Sequence, residues 1–258
     1  MRQLTYVGGN RVEWWDVPVP RLQDDRDALV QPLAVTRCDL DLAIASGRAN
    51  LPGPFALGHE TAGRVVDVGG AVKNLTPGDL VIVPFQISCG TCDRCRRGHT
   101  NACTAVPFRS SYGLKTVCGV EYRGGLSDLI RVPFADHMLV RQPEGHALSQ
   151  TAGLADGATD GFNAVARWLR RWTGADVLII GDFAQSLAMF AVQAAVARRP
   201  NRLSRRPRAT AVPPTAPSWC SGDRLCVPIA DMLRWRIPQE ANHACTIARN
   251  RAENLHHV

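Results

Sequence analysis

Short apolar runs broken by Gly, Pro and Asp fill the chain from Met1 to about Gly145. "RVVDVGG", "GDLVIVPF", "LSDLIRVPF" and "HMLVRQP" each place β-branched residues between turn formers, the pattern of short strands. "LTPGD", Leu75 to Asp79, sets Pro then Gly as a tight turn requires. Several such strands in series predict a β-rich barrel or sandwich. The period then changes. Residues 151 to 173 read as helical, with Trp168 and Trp172 amid Arg167, Arg170 and Arg171. "ADVLIIG" is a continuous apolar strand of the kind buried on both faces. "AQSLAMFAVQAAVA" follows with Leu187, Phe190, Ala191 and Ala194 at helical spacing. Strand, turn at Gly181 and helix make one β-α step of a parallel sheet.

After Ala197 the texture changes again. "RRPNRLSRRPRATAVPPTAPSW" is dominated by Arg and Pro and shows neither period, so residues 198–258 are expected to be an irregular tail with no second strand. On that expectation the strand Val177 to Ile180 lacks a sheet, and its apolar surface makes the chain prone to aggregate.

Composition narrows the function classes. No run approaches the ~18 apolar residues of a membrane helix, and "MRQLTYVGGNRVEWW" has no signal-peptide core, which predicts a cytoplasmic protein. The net charge of +7 arises entirely after residue 196, where 11 Arg face Asp223, Asp231, Glu240 and Glu253. A nucleic-acid clamp is one explanation, but no aromatic residues are interleaved with the arginines, which disfavours it. Neither a membrane nor a nucleic-acid partner is expected, and a homo-oligomer is left open.

The most informative stretch is "SCGTCDRCRRGHTNAC", residues 88 to 103. In a reducing compartment Cys89, Cys92, Cys95 and Cys103 point to a metal before a disulfide, with a redox pair as the lesser alternative. Four thiolates can converge about 2.3 Å from a tetrahedral Zn²⁺. Arg94, Arg96 and Arg97 offset their excess negative charge, so a structural zinc is expected here.

That spacing, with "GHE" at Gly58 to Glu60, resembles the zinc-dependent medium-chain dehydrogenase family, the alcohol dehydrogenase-like enzymes. The resemblance runs from about Val7 to Ala197 and is carried by "VTRCDLDLAIASG", "ALGHETAGRVVDVG", "GGLSDLIRVPFADHMLVRQPEG" and "LADGATDGFNAV". It implies an α/β fold with a β-rich part: a GroES-like zinc-binding catalytic domain over 1–150 with a structural zinc lobe at 88–104. Residues 151–197 would then begin a Rossmann-like nucleotide-binding domain. It further implies a catalytic zinc held by Cys38, His59 and Asp156, with Glu60 as an exchange ligand or a carboxylate behind the ligands. The activity implied is hydride transfer between NAD or NADP and an alcohol or aldehyde. Three protein ligands leave a fourth position open, as catalytic zinc requires.

The sequence also departs from the family. Leu40 and Ala43 stand where the family commonly has a hydroxyl residue and a histidine that pass the alcohol proton, a role Asp39, Asp41 or Asp160 would have to fill through water. Asp41 matches the family and is expected to support a ligand. The Gly-rich turn reads "GDFAQS": Gly181 is kept, Phe183 replaces the second glycine and Ser186 the third. Gly181 and Ser186 are the candidate cofactor contacts. The acidic residue expected about 20 positions on is missing. The Arg/Pro-rich tail and scarce lysine suggest a reading frame that has slipped after about residue 197, so a non-catalytic zinc-binding remnant is the alternative to an active oxidoreductase.

Overall fold

The computed structural model describes residues 1–49, 51–114, 122–173, 175–180 and 185–198, and the backbone of 203–206 and 225–228. They divide into two units. The first takes in Met1–Arg37 and Asp41–Ala155; the second starts at Asp156 and includes the short segment Cys38–Leu40.

The first unit is built from β1 (Arg2–Gly8), β2 (Arg11–Asp16), β3 (Ala28–Thr36), α1 (Asp39–Ala45), β4 (Phe55–Ala56), β5 (Glu60–Val68), β6 (Leu80–Val83), α2 (Asp93–Arg96), β7 (Ile130–Val132), α3 (Ala135–Met138), β8 (Val140–Arg141) and α4 (Leu148–Thr151). Its larger sheet has the order β7-β3-β5-β6-β8, all antiparallel, and the smaller has the order β2-β1-β4. This is the β-rich part expected from the alternating runs. Val30, Val65, Val81, Val83, Ile130 and Val132 point inward from four strands and pack with Tyr112 and Met138. Pro32 lies inside β3, where it cannot donate to a ladder, and the register of β3 against β5 shifts between Pro32 and Ala34. Gly63 is needed opposite it, since a Cβ there would collide with the Gln31 carbonyl.

One ladder positions the chemistry. In the β3–β5 pairing Thr36 faces Glu60. Cys38, two residues beyond the end of β3, and His59, one residue before β5, therefore leave the sheet at the same end.

The second unit contains α5 (Gly157–Arg171), β9 (Val177–Ile180), α6 (Gln185–Ala197), β10 (Leu203–Arg206) and β11 (Leu225–Pro228). Here two expectations are corrected. Residues 203–206 and 225–228 are strands, each parallel to β9, in the order β10-β9-β11. The segment "LSRR" lacks the β-branched pattern that marks a strand in sequence; its pairing with β9 supplies the ladder. Nor is β9 without a sheet. Val177, Leu178 and Ile179 are buried, and Val177 and Ile179 pack with Val165 and Leu169 of α5 and Ala188, Ala191, Ala194 and Ala195 of α6. The two helices approach closely at Gly161, where a Cβ would sit 2.7 Å from Phe190 Cβ and 2.8 Å from the Leu187 carbonyl oxygen. Residues 207–224 and 229–258, on which much of the slipped-frame reading rests, lie outside the described residues. Among the described residues no helix is long and apolar enough to cross a membrane.

Candidate metal centres

The cysteine lobe folds as its spacing predicts. Cys92 precedes the short helix α2, Cys95 lies within it, and a 3-10 turn over Thr100–Ala102 delivers Cys103. Gly90 and Gly98 take positive φ of 72° and 80°, the left-handed conformation that lets the chain double back. The four sulfurs lie within 4.8 Å of one another, and Cys92 Sγ is 4.0 Å from Cys103 Sγ. A tetrahedron with ~2.3 Å metal–sulfur bonds has edges of ~3.8 Å, so the quartet fits zinc. Backbone amides already face the sulfurs: Thr91 and Cys92 N–H donate to Cys89 Sγ at 3.4 and 3.3 Å, and Cys89 N–H to Cys103 Sγ at 3.4 Å.

The thiols are not equivalent. Backbone hydrogen bonds from Thr104 and Cys95 pull Cys92 down to about 5. Burial, followed by hydrogen bonding with Cys92, pushes Cys95 up to about 12. Burial opposes ionisation of Cys89 too, yet the hydrogen bonds of Thr91 and Cys92 bring it below the usual thiol value. A divalent cation at the centre is the group that would let all four ionise together.

The second constellation gathers at the end of the β3–β5 ladder. Gly58, with φ of +93°, turns the chain into His59, and a Cβ on it would meet the Leu126 amide nitrogen at 2.6 Å. His59 is buried at 1% exposure, with its ring edge-on to Phe85 at 5.2 Å. The first turn of α1 brings up Asp41, whose Oδ1 stands 3.2 Å from His59 Nδ1. Ligand atoms of Cys38, Asp41 and His59 lie within 4.8 Å of one another, which fits a thiolate–imidazole–carboxylate metal set. Cys38 Sγ also accepts the Leu40 N–H at 3.2 Å. Glu60 is buried at the first residue of β5. Asp156 occupies the N-cap of α5, in the second unit. Among the described residues, the group that contains Cys38 and His59 has Asp41 as its carboxylate.

Of the proposed cofactor contacts, Gly181 lies outside the described residues. Ser186 is in the first turn of α6, and both its amide and its hydroxyl donate to Asp39 Oδ2, at 2.6 and 2.9 Å. The sequence marks Asp39 only as a substitute proton carrier. A separation of 147 residues left no local signal for this contact.

Comparison with known proteins agrees with this architecture. Residues 24–144 match the alcohol dehydrogenase GroES-like domain. A glutathione-independent formaldehyde dehydrogenase of Pseudomonas aeruginosa is 31% identical over 70% of this chain and 54% of its own. Alcohol dehydrogenase TADH from Thermus sp. ATN1 superposes with a TM-score of 0.72 at 29% identity, covering 81% of this chain and 59% of that one. Acetophenone reductase from Geotrichum candidum, solved in complex with NAD, gives 0.63 at 27% identity over 79% and 57%. Residues 24–144 thus carry the GroES-like domain of the alcohol dehydrogenases, and the chain resembles zinc-type alcohol dehydrogenases in sequence and fold. It spans about half the length of the formaldehyde dehydrogenase it matches.

Proposed function

We propose that the chain is a zinc-dependent oxidoreductase of the alcohol dehydrogenase type, moving hydride between a nicotinamide cofactor, NAD or NADP, and an alcohol or aldehyde. The observation that carries this reading is the convergence of Cys38, Asp41 and His59 at the end of one antiparallel ladder, apart from a complete four-cysteine lobe. Cys38 and His59 would hold the catalytic ion, with Asp156 as third donor and Glu60 as the carboxylate available during ligand exchange. Cys89, Cys92, Cys95 and Cys103 would hold the structural ion. When bound, the catalytic zinc supplies Lewis-acid polarisation of the substrate oxygen and lowers the pKa of its hydroxyl.

The chain's own residues do the rest. Asp41 fixes the orientation of His59 and raises its basicity as a donor. Burial of His59 and Glu60 keeps bulk water from this end of the ladder. The substrate proton has no hydroxyl or imidazole carrier at positions 40 and 43, where Leu40 and Ala43 stand, Ala43 fully buried. Asp160, in the first turn of α5, is exposed and is the carboxylate that would pass a proton on through water. A proton relay contributes about 10² to 10⁴ in rate, so turnover is expected to be slow.

The Asp39–Ser186 contact favours a second reading, a zinc protein without catalysis, because the amide of an α6 first-turn residue already serves a carboxylate. The two separate in one assay. The zinc-loaded chain is incubated with primary alcohols and NAD or NADP, and in reverse with aldehydes and the reduced cofactors, following nicotinamide absorbance. Turnover abolished in Cys38→Ala supports the oxidoreductase. Absence of turnover with every pair supports the non-catalytic zinc protein.

A further inference from the structure

Arg123 stands where the backbone favours glycine. Its φ is +68°, in the left-handed region, and strain of this kind gathers at functional sites. The residue is half-buried, and its Nη1 is enclosed with no hydrogen-bond partner among the described residues. Buried polar atoms are nearly always paired, and a charged donor left without an acceptor is a costly exception. The backbone ties this arginine to the Cys38–His59 centre. Its carbonyl accepts the Gly113 N–H at 2.7 Å, and a Cβ on Gly113 would stand 2.9 Å from the His59 amide nitrogen. Two residues on, the Gly125 N–H donates to the Gly58 carbonyl at 2.7 Å, and the Leu126 N–H to the Leu57 carbonyl at 3.1 Å. A second orphan marks the same segment. Thr61 Oγ1 is buried without a partner among the described residues, and a Cβ on Gly125 would collide with it. Arg123, Thr61 and His59 all belong to the first unit.

We propose that Arg123 is a specificity-determining anion site: the alcohol or aldehyde taken at the Cys38–His59 centre carries an oxyanion, a carboxylate or a phosphate, that pairs with the guanidinium. The proposal rests on the reading of that centre as the catalytic metal site, and it adds the substrate class. The chemistry follows from the donor. A guanidinium is always charged, weakly hydrated and planar, so it meets a carboxylate or phosphate through parallel N–H bonds. Enclosure strengthens that attraction over its value in water. Substrate pockets fix their ligands with a few placed polar groups of this kind. A neutral alcohol would leave Nη1 unpaired, and a site built to pair a polar group rejects the analogue that lacks it.

The test is isothermal titration calorimetry of the full zinc-loaded chain, as wild type, Arg123→Gln and Arg123→Lys. The probes are straight-chain ω-hydroxy acids of increasing length, their methyl esters as neutral controls, and the matching ω-hydroxyalkyl phosphates. The wild type is expected to bind an acid or a phosphate about tenfold or more tighter than the neutral control. Arg123→Gln is expected to lose that preference and Arg123→Lys to keep part of it, and the series that gains names the anion. Ligand-free melts accompany each protein, and Arg123→Gln should melt at or above the wild type, since it removes an orphaned buried cation. Equal binding of charged and neutral probes by the wild type overturns the anion site. A preference that survives in Arg123→Gln, or no binding of any probe, overturns it too. Melts well below the wild type in both variants would make Arg123 a structural residue and overturn it as well. The catalytic reading is judged separately: turnover of neutral alcohols abolished in Cys38→Ala leaves that reading standing when the anion site fails.

Discussion

Asp41 Oδ1 lies 3.2 Å from His59 Nδ1, with the His59 side chain fully buried and that of Asp41 only 9% exposed. Carboxylate and imidazole are 18 residues apart and come from different elements, α1 and the lead into β5. A carboxylate beside one nitrogen of a metal-binding imidazole fixes its ring plane and raises its basicity as a donor. Asp41→Asn is therefore expected to weaken the zinc bound at Cys38 and His59 by about 10- to 100-fold. Competition with a chromogenic chelator measures this, and the four-cysteine zinc is expected to resist equally in both proteins. Unchanged chelator resistance of the Cys38–His59 zinc in the variant would remove Asp41 from the site.

Gly161 tests the packing of the second unit. Adding a methyl group places a Cβ 2.7 Å from Phe190 Cβ and 2.8 Å from the Ala191 nitrogen, in a position flanked by backbone that cannot yield cheaply. Gly161→Ala is expected to destabilise the α5–α6 pair by about 1–3 kcal/mol, although alanine is the better helix former. Urea unfolding followed by fluorescence reports it, since Trp168 and Trp172 stack on α5 at 5.4 Å. A midpoint equal to or above that of the wild type would show that the helices are not in close contact.

Asp79 gives the first unit a pH signature. Its carboxylate accepts the Thr76 amide at 2.8 Å and faces Arg141 Nη1 at 2.7 Å. The Thr76 hydrogen bond foremost, with Arg141 assisting against partial burial, lowers its pKa below the ordinary 3.8. A carboxylate depressed on folding stabilises fully above its unfolded pKa and loses that contribution as pH falls through the folded value. Asp79→Asn should thus cost about 1 kcal/mol near neutral pH. The difference from wild type should shrink as pH drops below 3.8. Unfolding midpoints measured across this range check the sign; a deficit that grows on acidification would contradict it.

The parts of the molecule legible in sequence are those whose signal is local. The spacing of Cys89, Cys92, Cys95 and Cys103 is itself nearly the geometry of a tetrahedron, because the turns between ligands are short. The alternating strands around Val65, Val81 and Ile130 announce themselves by their period. Cys38 and His59 carry no such local mark, and only their resemblance to a family singled them out; the Thr36–Glu60 pairing then gives the physical reason they meet. The features illegible in the sequence are non-local. Leu203–Arg206 becomes a strand through its parallel partner β9, against a weak intrinsic preference. The bond from Ser186 to Asp39 spans most of the described chain, and neither residue predicts the other.

Metal content tests the central claim, two independent zinc centres in one chain, most directly. The full chain is expressed in zinc-supplemented medium, dialysed against metal-free buffer and measured by inductively coupled plasma mass spectrometry alongside Cys38→Ala and Cys92→Ser. The account predicts about two zinc per wild-type chain and about one in each variant, the lost ion differing between them in its resistance to chelator. One zinc in the wild type, unchanged by Cys38→Ala and abolished by Cys92→Ser, would contradict it, leaving the four-cysteine lobe as a metal site without a catalytic companion.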